Sequence, residues 1–96
     1  MDNRDILTTI SEFHHQTKDK YRIKKIGIFG SSARNTMSRE SDIDVVVVLD
    51  DQDLFNLIGI KQDLEDRLKR HVDVVSYRNR MNPYLRKKID NEAVYV

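Results

Sequence analysis

The distribution of apolar positions along the chain predicts eight alternating elements. Apolar residues recur at helical spacing near the N-terminus, and a basic, polar connector over residues 18–25 follows. Short runs rich in β-branched residues predict strands further along. The predicted helices cover residues 4–16, 54–70 and 84–90, with a possible short helix that begins near residue 32. The predicted strands cover residues 26–29, 42–49, 72–75 and 93–96. This order predicts an α/β (α+β) fold in which a small mixed β-sheet is flanked by helices.

Two features of the pattern add detail to this prediction. The second strand is apolar on both faces after Asp44, which is typical of an interior strand that is covered on both sides. Asp53 and its acidic neighbours offer carboxylates that can cap the helix that follows. Asn82 and Pro83 form a typical helix start, with asparagine as the cap and proline as the first helical residue.

Composition narrows the possible classes of protein. A length of 96 residues favours a single domain that spans residues 1–96. The formal net charge of +1 gives no support for nucleic-acid binding, which is therefore not expected. The absence of cysteine excludes disulfides and thiolate metal sites. The polar N-terminus does not resemble a signal peptide, and the apolar run Val45–Leu49 is too short to span a bilayer, so a cytoplasmic protein without membrane contact is expected.

Two aspartates at the start of the second strand are the first candidates for chemistry. Asp42 and Asp44 are two residues apart, and residues two apart in a strand point to the same face. Carboxylates that lie so close together repel each other, and a divalent cation removes that repulsion. Mg²⁺ is commonly held by one or two carboxylates together with phosphate oxygens and water. The pair therefore predicts a site for Mg²⁺.

A glycine and a serine lie where the first strand ends and a short helix begins. Gly30 allows the backbone to approach a phosphate closely, and the Ser31 hydroxyl adds a hydrogen-bond donor. The free N–H groups at the start of a helix also favour an anion. The turn is thus predicted to bind phosphates beside the metal site, a combination suited to displacement at a phosphorus atom.

A third aspartate interrupts the apolar third strand. Asp73 would be costly there unless it is paired or bound to a metal. If the third strand lies beside the second, Asp73 joins Asp42 and Asp44 in a group of three carboxylates. Its role would be to bind a second metal ion or to take the proton of the acceptor. A solvated position at the end of a strand is the alternative.

These segments carry a resemblance to a known family. Gly30–Arg34, followed by Ser41–Val45, resembles the signature of the DNA polymerase β-like nucleotidyltransferase superfamily. The short chain and the later segment Val72–Val75 resemble the minimal nucleotidyltransferase branch, the MntA-type antitoxins. The chain departs from the pattern at Asn35, where relatives often have glycine, although asparagine tolerates a left-handed backbone better than most residues.

The resemblance implies roles for six residues in two groups. One group would hold the metal ions and support catalysis, and the other would bind the nucleotide. The first group is Asp42, Asp44 and Asp73, and the second is Gly30, Ser31 and Arg34.

The resemblance also implies an activity and a partner. The protein would be a protein adenylyltransferase that uses Mg²⁺, with two ions expected, and moves AMP from ATP to a tyrosine of a cognate HEPN-domain toxin. Three alternatives remain open. The chain could neutralise a toxin by masking it with little catalysis, modify a small molecule, or be a fragment of a nucleic-acid polymerase.

Several other residues are interpreted as structural. His14 and His15 are predicted to lie at the C-terminus of the first helix, where the helix dipole favours a cation. His71 is a candidate catalytic base, but a helix-terminal role is the favoured interpretation. Tyr84 and Tyr95 are predicted to pack rather than to act as acceptors.

Overall fold

The predicted order of elements is confirmed. The computed structural model describes residues 3–34, 42–51 and 53–96 of the chain. The elements are α1 (Asn3–Tyr21), β1 (Ile23–Phe29), α2 (Ser31–Arg34), β2 (Ile43–Leu49), α3 (Leu54–Leu68), β3 (Val72–Ser76), α4 (Pro83–Glu92) and β4 (Val94–Tyr95). The predicted fold class, a small mixed sheet flanked by helices, is therefore correct.

The four strands form one mixed sheet in the order β3-β2-β1-β4. β1 runs antiparallel to both β2 and β4, whereas β2 and β3 are parallel. A parallel pair needs a crossover connection, and α3 provides it between β2 and β3. This connection places the starts of β2 and β3 side by side.

Helices cover both faces of the sheet, so β2 is buried on both sides as its sequence predicts. On one face, Ile43 and Val45 of β2 pack with Phe13 of α1 and Ile60 of α3. We call this side the α1/α3 face. On the other side, the α4 face, Val46 packs with residues of β1 and α4 in a smaller cluster. That cluster consists of Phe29, Val46, Met81 and Ile89.

The predicted basic connector over residues 18–25 is wrong. Helix α1 continues to Tyr21, and β1 begins at Ile23, with Arg22 between them in a left-handed conformation (φ 57°). The helical pattern is hard to see beyond Phe13 because the next inward-facing residue, Thr17, is polar and interrupts the series of apolar positions. Thr17 is buried, and its hydroxyl donates a hydrogen bond to the Phe13 carbonyl oxygen at 2.7 Å.

The extension of α1 also shows that the helix-terminal position predicted for His14 and His15 is wrong. His14 lies seven residues before the last residue of α1, so it does not contact the C-terminal end of the helix dipole. Its Nε2 atom lies 3.0 Å from the Ile23 carbonyl oxygen instead. His14 therefore helps to hold α1 against β1.

The predicted caps of α3 and α4 are confirmed. The Asp53 carboxylate accepts a hydrogen bond from the Phe55 N–H at 2.9 Å. The Asn82 side chain accepts one from the Tyr84 N–H at 2.9 Å, with Pro83 in the first turn. Each cap satisfies backbone donors that have no partner within the helix. Among the described residues, no helix combines the length and the apolar character that a membrane span requires.

Candidate functional site

The parallel pairing of β2 and β3 brings Asp44 and Asp73 together. The two residues are Cα partners in the register of these strands. Val72 and Val74 pack on the α1/α3 face, and side chains alternate along a strand, so Asp73 lies on the α4 face with Asp44. Asp42 lies one residue before β2, not within it as predicted, because the ladder begins at Ile43.

Asp42 and Asp73 also form a compact group with His71. Each of these three side chains offers a ligand atom, and these atoms all lie within 4.8 Å of one another. All three residues are exposed to solvent. The structure thus brings Asp42 and Asp73 together with an imidazole that was not among the predicted site residues, and it places Asp44 beside Asp73 in the strand register.

Gly30 lies directly against Asp44. Its backbone is left-handed, with φ 67°, a conformation that glycine adopts without steric cost. A Cβ atom at this position would lie 2.6 Å from Oδ2 of Asp44. Ser31 follows as the half-buried first residue of α2. The predicted phosphate turn therefore lies next to the predicted metal site.

Sequence reasoning missed Ser32. This residue is fully buried, and its hydroxyl oxygen accepts a hydrogen bond from the Asp44 N–H at 3.4 Å. The contact joins the start of α2 to the strand that carries Asp44. A polar residue directly after Gly30 and Ser31 was the available signal, but burial could not be read from the sequence.

Two contacts fix the position of the His71 ring. Its Nδ1 atom lies 2.9 Å from Oε2 of Glu65 on α3, and its Nε2 atom lies 3.8 Å from Oδ1 of Asp73. The helix-terminal interpretation is consistent with the first contact, since Glu65 is in the last turn of α3. The helix-terminal interpretation did not include the second contact, with Asp73, which places His71 beside the carboxylates of the site.

Glu65 anchors the start of β3. Its carboxylate accepts a hydrogen bond from the Val72 N–H at 3.0 Å, and Lys61 donates to the Val72 carbonyl oxygen at 2.8 Å. The pKa of Glu65 is lowered below its ordinary value of 4.5, mainly by the bond from Val72 and further by Lys61 and His71, while burial opposes the shift. Glu65 therefore stays ionised at neutral pH and holds the residue that precedes Asp73.

Replacing Glu65 by glutamine is expected to make the free energy of unfolding fall less steeply as the pH is lowered. A carboxyl with a lowered pKa in the folded state stabilises the protein above the unfolded-state pKa, and this contribution is lost as the pH falls through the folded pKa. The free energy of unfolding of Glu65→Gln is thus expected to lie below that of the parent chain at pH 7. The difference is expected to shrink below about pH 4.5. Urea titrations at several pH values measure it, and a difference independent of pH would contradict the role given to Glu65.

Three further residues of the sequence analysis need comment. The Arg34 side chain and Asn35 lie outside the described part of the structure, so their predicted roles stay predictions. The packing role predicted for Tyr84 is wrong, because the residue is 83% exposed. The apolar face of α4 is formed by Leu85 and Ile89, four residues apart, and Tyr84 lies beside that face.

Tyr95 does pack, as predicted. It lies against the cluster on the α4 face and borders a cleft of about 380 Å³. The Lys25 ammonium lies 4.2 Å from the centroid of its ring. Burial, with smaller contributions from Tyr77 and Asp90, raises the pKa of Tyr95, so its hydroxyl remains protonated at neutral pH. The cleft reaches Val48, four residues along β2 from Asp44, and so is separate from the carboxylates.

The arrangement at the starts of β2 and β3 combines negative charge with a turn that a phosphate can approach. Carboxylate oxygens are the donors that Mg²⁺ prefers, and the open side of the group leaves room for phosphate oxygens and water. The donor set therefore fits a divalent cation. With Gly30 directly beside Asp44, the site can hold an ion and a phosphate chain in contact with each other.

Comparison with known proteins agrees with this geometry. Residues 10–96 match the nucleotidyltransferase domain family. A Methanocaldococcus jannaschii protein, provisionally named a protein adenylyltransferase, is 33% identical over 93 residues, which is 96% of this chain and 95% of that protein. The protein adenylyltransferase MntA of Thermococcus cleftensis is 26% identical over 93 residues, covering 96% of this chain and 93% of that protein.

Comparison with solved structures also finds similarity to nucleotidyltransferases. A structure provisionally described as a minimal nucleotidyltransferase superposes with a TM-score of 0.79 at 29% identity, covering 98% of this chain and 95% of the other. A toxin-antitoxin structure with AMP-PNP superposes with a TM-score of 0.76 at 26% identity, covering 92% of this chain and 69% of the other. The chain therefore belongs to the nucleotidyltransferase domain family and is an enzyme of its minimal, MntA-type branch.

Proposed function

We propose that the protein transfers AMP from ATP to a side chain of a protein partner, and that this partner is a toxin which the modification silences. The observation that carries the proposal is the pairing of Asp44 with Asp73 beside the left-handed Gly30. In this arrangement, carboxylates and a phosphate-binding turn would act on one nucleotide.

The names of the relatives support the nucleotide and the kind of acceptor. Two similar chains are named protein adenylyltransferases, one of them provisionally, and a similar structure is a toxin-antitoxin pair with AMP-PNP, an analogue of ATP. ATP as the donor and a protein as the acceptor follow from these names by similarity. A tyrosine of a HEPN-domain toxin is the acceptor that the family resemblance implies, and we include it in the proposal.

The metal requirement follows from the charges of the site. Asp42 and Asp44 would hold Mg²⁺, and Asp73 would complete the group, with two ions expected. When bound, Mg²⁺ neutralises charge on the triphosphate and on the departing pyrophosphate. Without a cation, the carboxylates at this edge of the sheet would repel the nucleotide.

The residues of the chain supply orientation and take up a proton. Gly30 and Ser31 would bind the phosphates through backbone N–H groups and the serine hydroxyl, which aims the α-phosphorus at the acceptor. The acceptor oxygen forms a bond to that phosphorus while the bond to the β-phosphate oxygen breaks, and pyrophosphate leaves. A carboxylate oxygen of Asp73 would take the proton that the acceptor hydroxyl loses.

Exposure of the site explains why a partner is needed. Asp42, His71 and Asp73 are all exposed, so the described residues do not enclose a reacting acceptor. Exclusion of water and orientation of both reactants supply much of the rate of such reactions. We therefore expect slow transfer by the isolated chain and faster transfer once the partner covers the open side.

The test is direct transfer to a purified partner. The full chain, labelled ATP and Mg²⁺ are incubated with the HEPN-domain toxin that is proposed as its partner, and intact-mass analysis counts the AMP groups added. The expected result is a toxin heavier by one or more AMP groups, with its RNase activity lost. Peptide mapping then identifies the modified residue, and tyrosine is expected.

Two outcomes would overturn parts of the proposal. If the toxin is neutralised at unchanged mass, and equally well by Asp42→Asn, the chain acts by masking and not by transfer. If the isolated chain rapidly modifies free small molecules and leaves the toxin unmodified, the acceptor is not a protein. Omitting Mg²⁺ provides the control for the metal requirement.

A further inference from the structure

His71 is placed as a metal ligand would be. Its Nδ1 atom lies 2.9 Å from Oε2 of Glu65, a carboxylate that also accepts a hydrogen bond from the Val72 N–H. An ionised carboxylate only accepts hydrogen bonds, so the contact assigns the proton of a neutral ring to Nδ1. The lone pair is then on Nε2, the nitrogen that faces Asp73.

This geometry matches the usual support of metal-binding histidines. Such residues almost always donate their second ring N–H to a carboxylate or a carbonyl, which fixes the tautomer and the direction of the ring. Glu65 provides that carboxylate here. It is itself held in place, because Lys61 lies 3.5 Å from the same oxygen and the Val72 backbone donates to it. The imidazole is therefore oriented before any ion binds.

The distances also fit a shared ion. Two donors about 2.1 Å from an octahedral ion lie about 3.0 Å apart when adjacent and about 4.2 Å apart when opposite. Nε2 of His71 lies 3.8 Å from Oδ1 of Asp73, which is too far for a hydrogen bond between them. With Asp42 included, the three ligand atoms lie within 4.8 Å of one another. Small rotations of these exposed side chains would bring all three onto one ion.

We infer that His71 joins Asp42 and Asp73 in a nitrogen-containing site, so that a first-row transition-metal ion binds there more tightly than it would to the carboxylates alone. Imidazole nitrogen suits ions such as Co²⁺, Ni²⁺ and Zn²⁺, whereas Mg²⁺ prefers an all-oxygen environment. The inference deepens the proposed function, since it uses two of the same carboxylates. It adds that the affinity for such an ion depends on a residue outside the three aspartates.

Metal binding by the full chain tests this inference without any measurement of AMP transfer. Co²⁺ and Mg²⁺ are each titrated by calorimetry, and the visible absorption of Co²⁺ reports nitrogen ligation. In His71→Ala, the Co²⁺ affinity is expected to fall about tenfold or more. The Mg²⁺ affinity is expected to change less than about twofold. His15→Ala is the matched control, because His15 is an exposed histidine of α1, which packs on the opposite face of the sheet.

Each outcome decides the question. An unchanged Co²⁺ affinity in His71→Ala would show that the imidazole is not a ligand, and equal losses for both ions would show that it gives no nitrogen-specific gain for Co²⁺. A ¹⁵N spectrum of the parent chain gives a second reading that needs no variant, and it is expected to show the Nδ1–H tautomer of the neutral His71 ring. The Nε2-protonated form would overturn the inference. His71-dependent Co²⁺ binding in a chain that transfers no AMP would leave this inference standing and defeat only the proposed function.

Discussion

Replacing Asp73 by asparagine is expected to slow AMP transfer at least about a thousandfold. The amide keeps the shape of the side chain but removes the negative charge and the ability to take a proton from the acceptor. Asp73 is exposed and lies at the start of β3, so the fold loses little. The measurement is the single-turnover rate of toxin modification, together with the free energy of unfolding from urea titration.

A matched variant separates this effect from a general loss of negative charge. Asp66→Asn changes an exposed carboxylate on α3 and is expected to keep the parent rate within about twofold. Asp42→Asn and Asp44→Asn are expected to behave as Asp73→Asn does. If Asp73→Asn transferred AMP at more than a tenth of the parent rate, Asp73 would have no part in the chemistry.

Replacing Gly30 by alanine is expected to damage both stability and activity. A side chain at a left-handed position costs about 1–2 kcal/mol, and Gly30 has φ 67°. The added Cβ would also lie 2.6 Å from Oδ2 of Asp44, so the carboxylate has to move away. Because a displacement of about 1 Å at a reacting centre can cost about 100-fold in rate, we expect transfer to fall by at least that factor.

A second variant separates the two causes. Asparagine tolerates the left-handed conformation better than alanine but carries the same Cβ. Gly30→Asn is therefore expected to recover part of the lost stability while transfer stays as slow as in Gly30→Ala. Recovery of the rate along with the stability would mean that backbone strain, and not the displacement of Asp44, accounts for the loss.

The prediction of the fold succeeded where local signals were strong. The unbroken apolar run after Asp44 identified β2 as an interior strand, and Asp53 and Asn82 marked the starts of two helices correctly. The prediction failed between residues 17 and 21 because Thr17 fills the inward position where an apolar residue would have revealed the helix. It failed at Tyr84 because an aromatic residue was taken as packed, although it lies beside the apolar face of α4.

The candidate site also has a part that local sequence predicts and a part that only tertiary contacts decide. The spacing of Asp42 and Asp44 predicts a pair on one face of a strand. The ladder begins at Ile43, so only Asp44 lies within β2 and Asp42 lies just before it. Only the tertiary structure could place Asp73, His71 and Ser32 around them. The contacts of these residues depend on the crossover through α3 and on the parallel register of β2 and β3.

The sequence alone determined the order of the elements, the two-sided burial of β2 and the chemical nature of the site residues. Each of these follows from backbone periodicity and side-chain type within a few neighbouring residues. The tertiary structure decided which residues meet: Asp44 with Asp73, Gly30 with Asp44, and His71 with Glu65. The reason is physical, since contacts between distant segments depend on how whole strands and helices bury their apolar faces together, which no short stretch of sequence specifies.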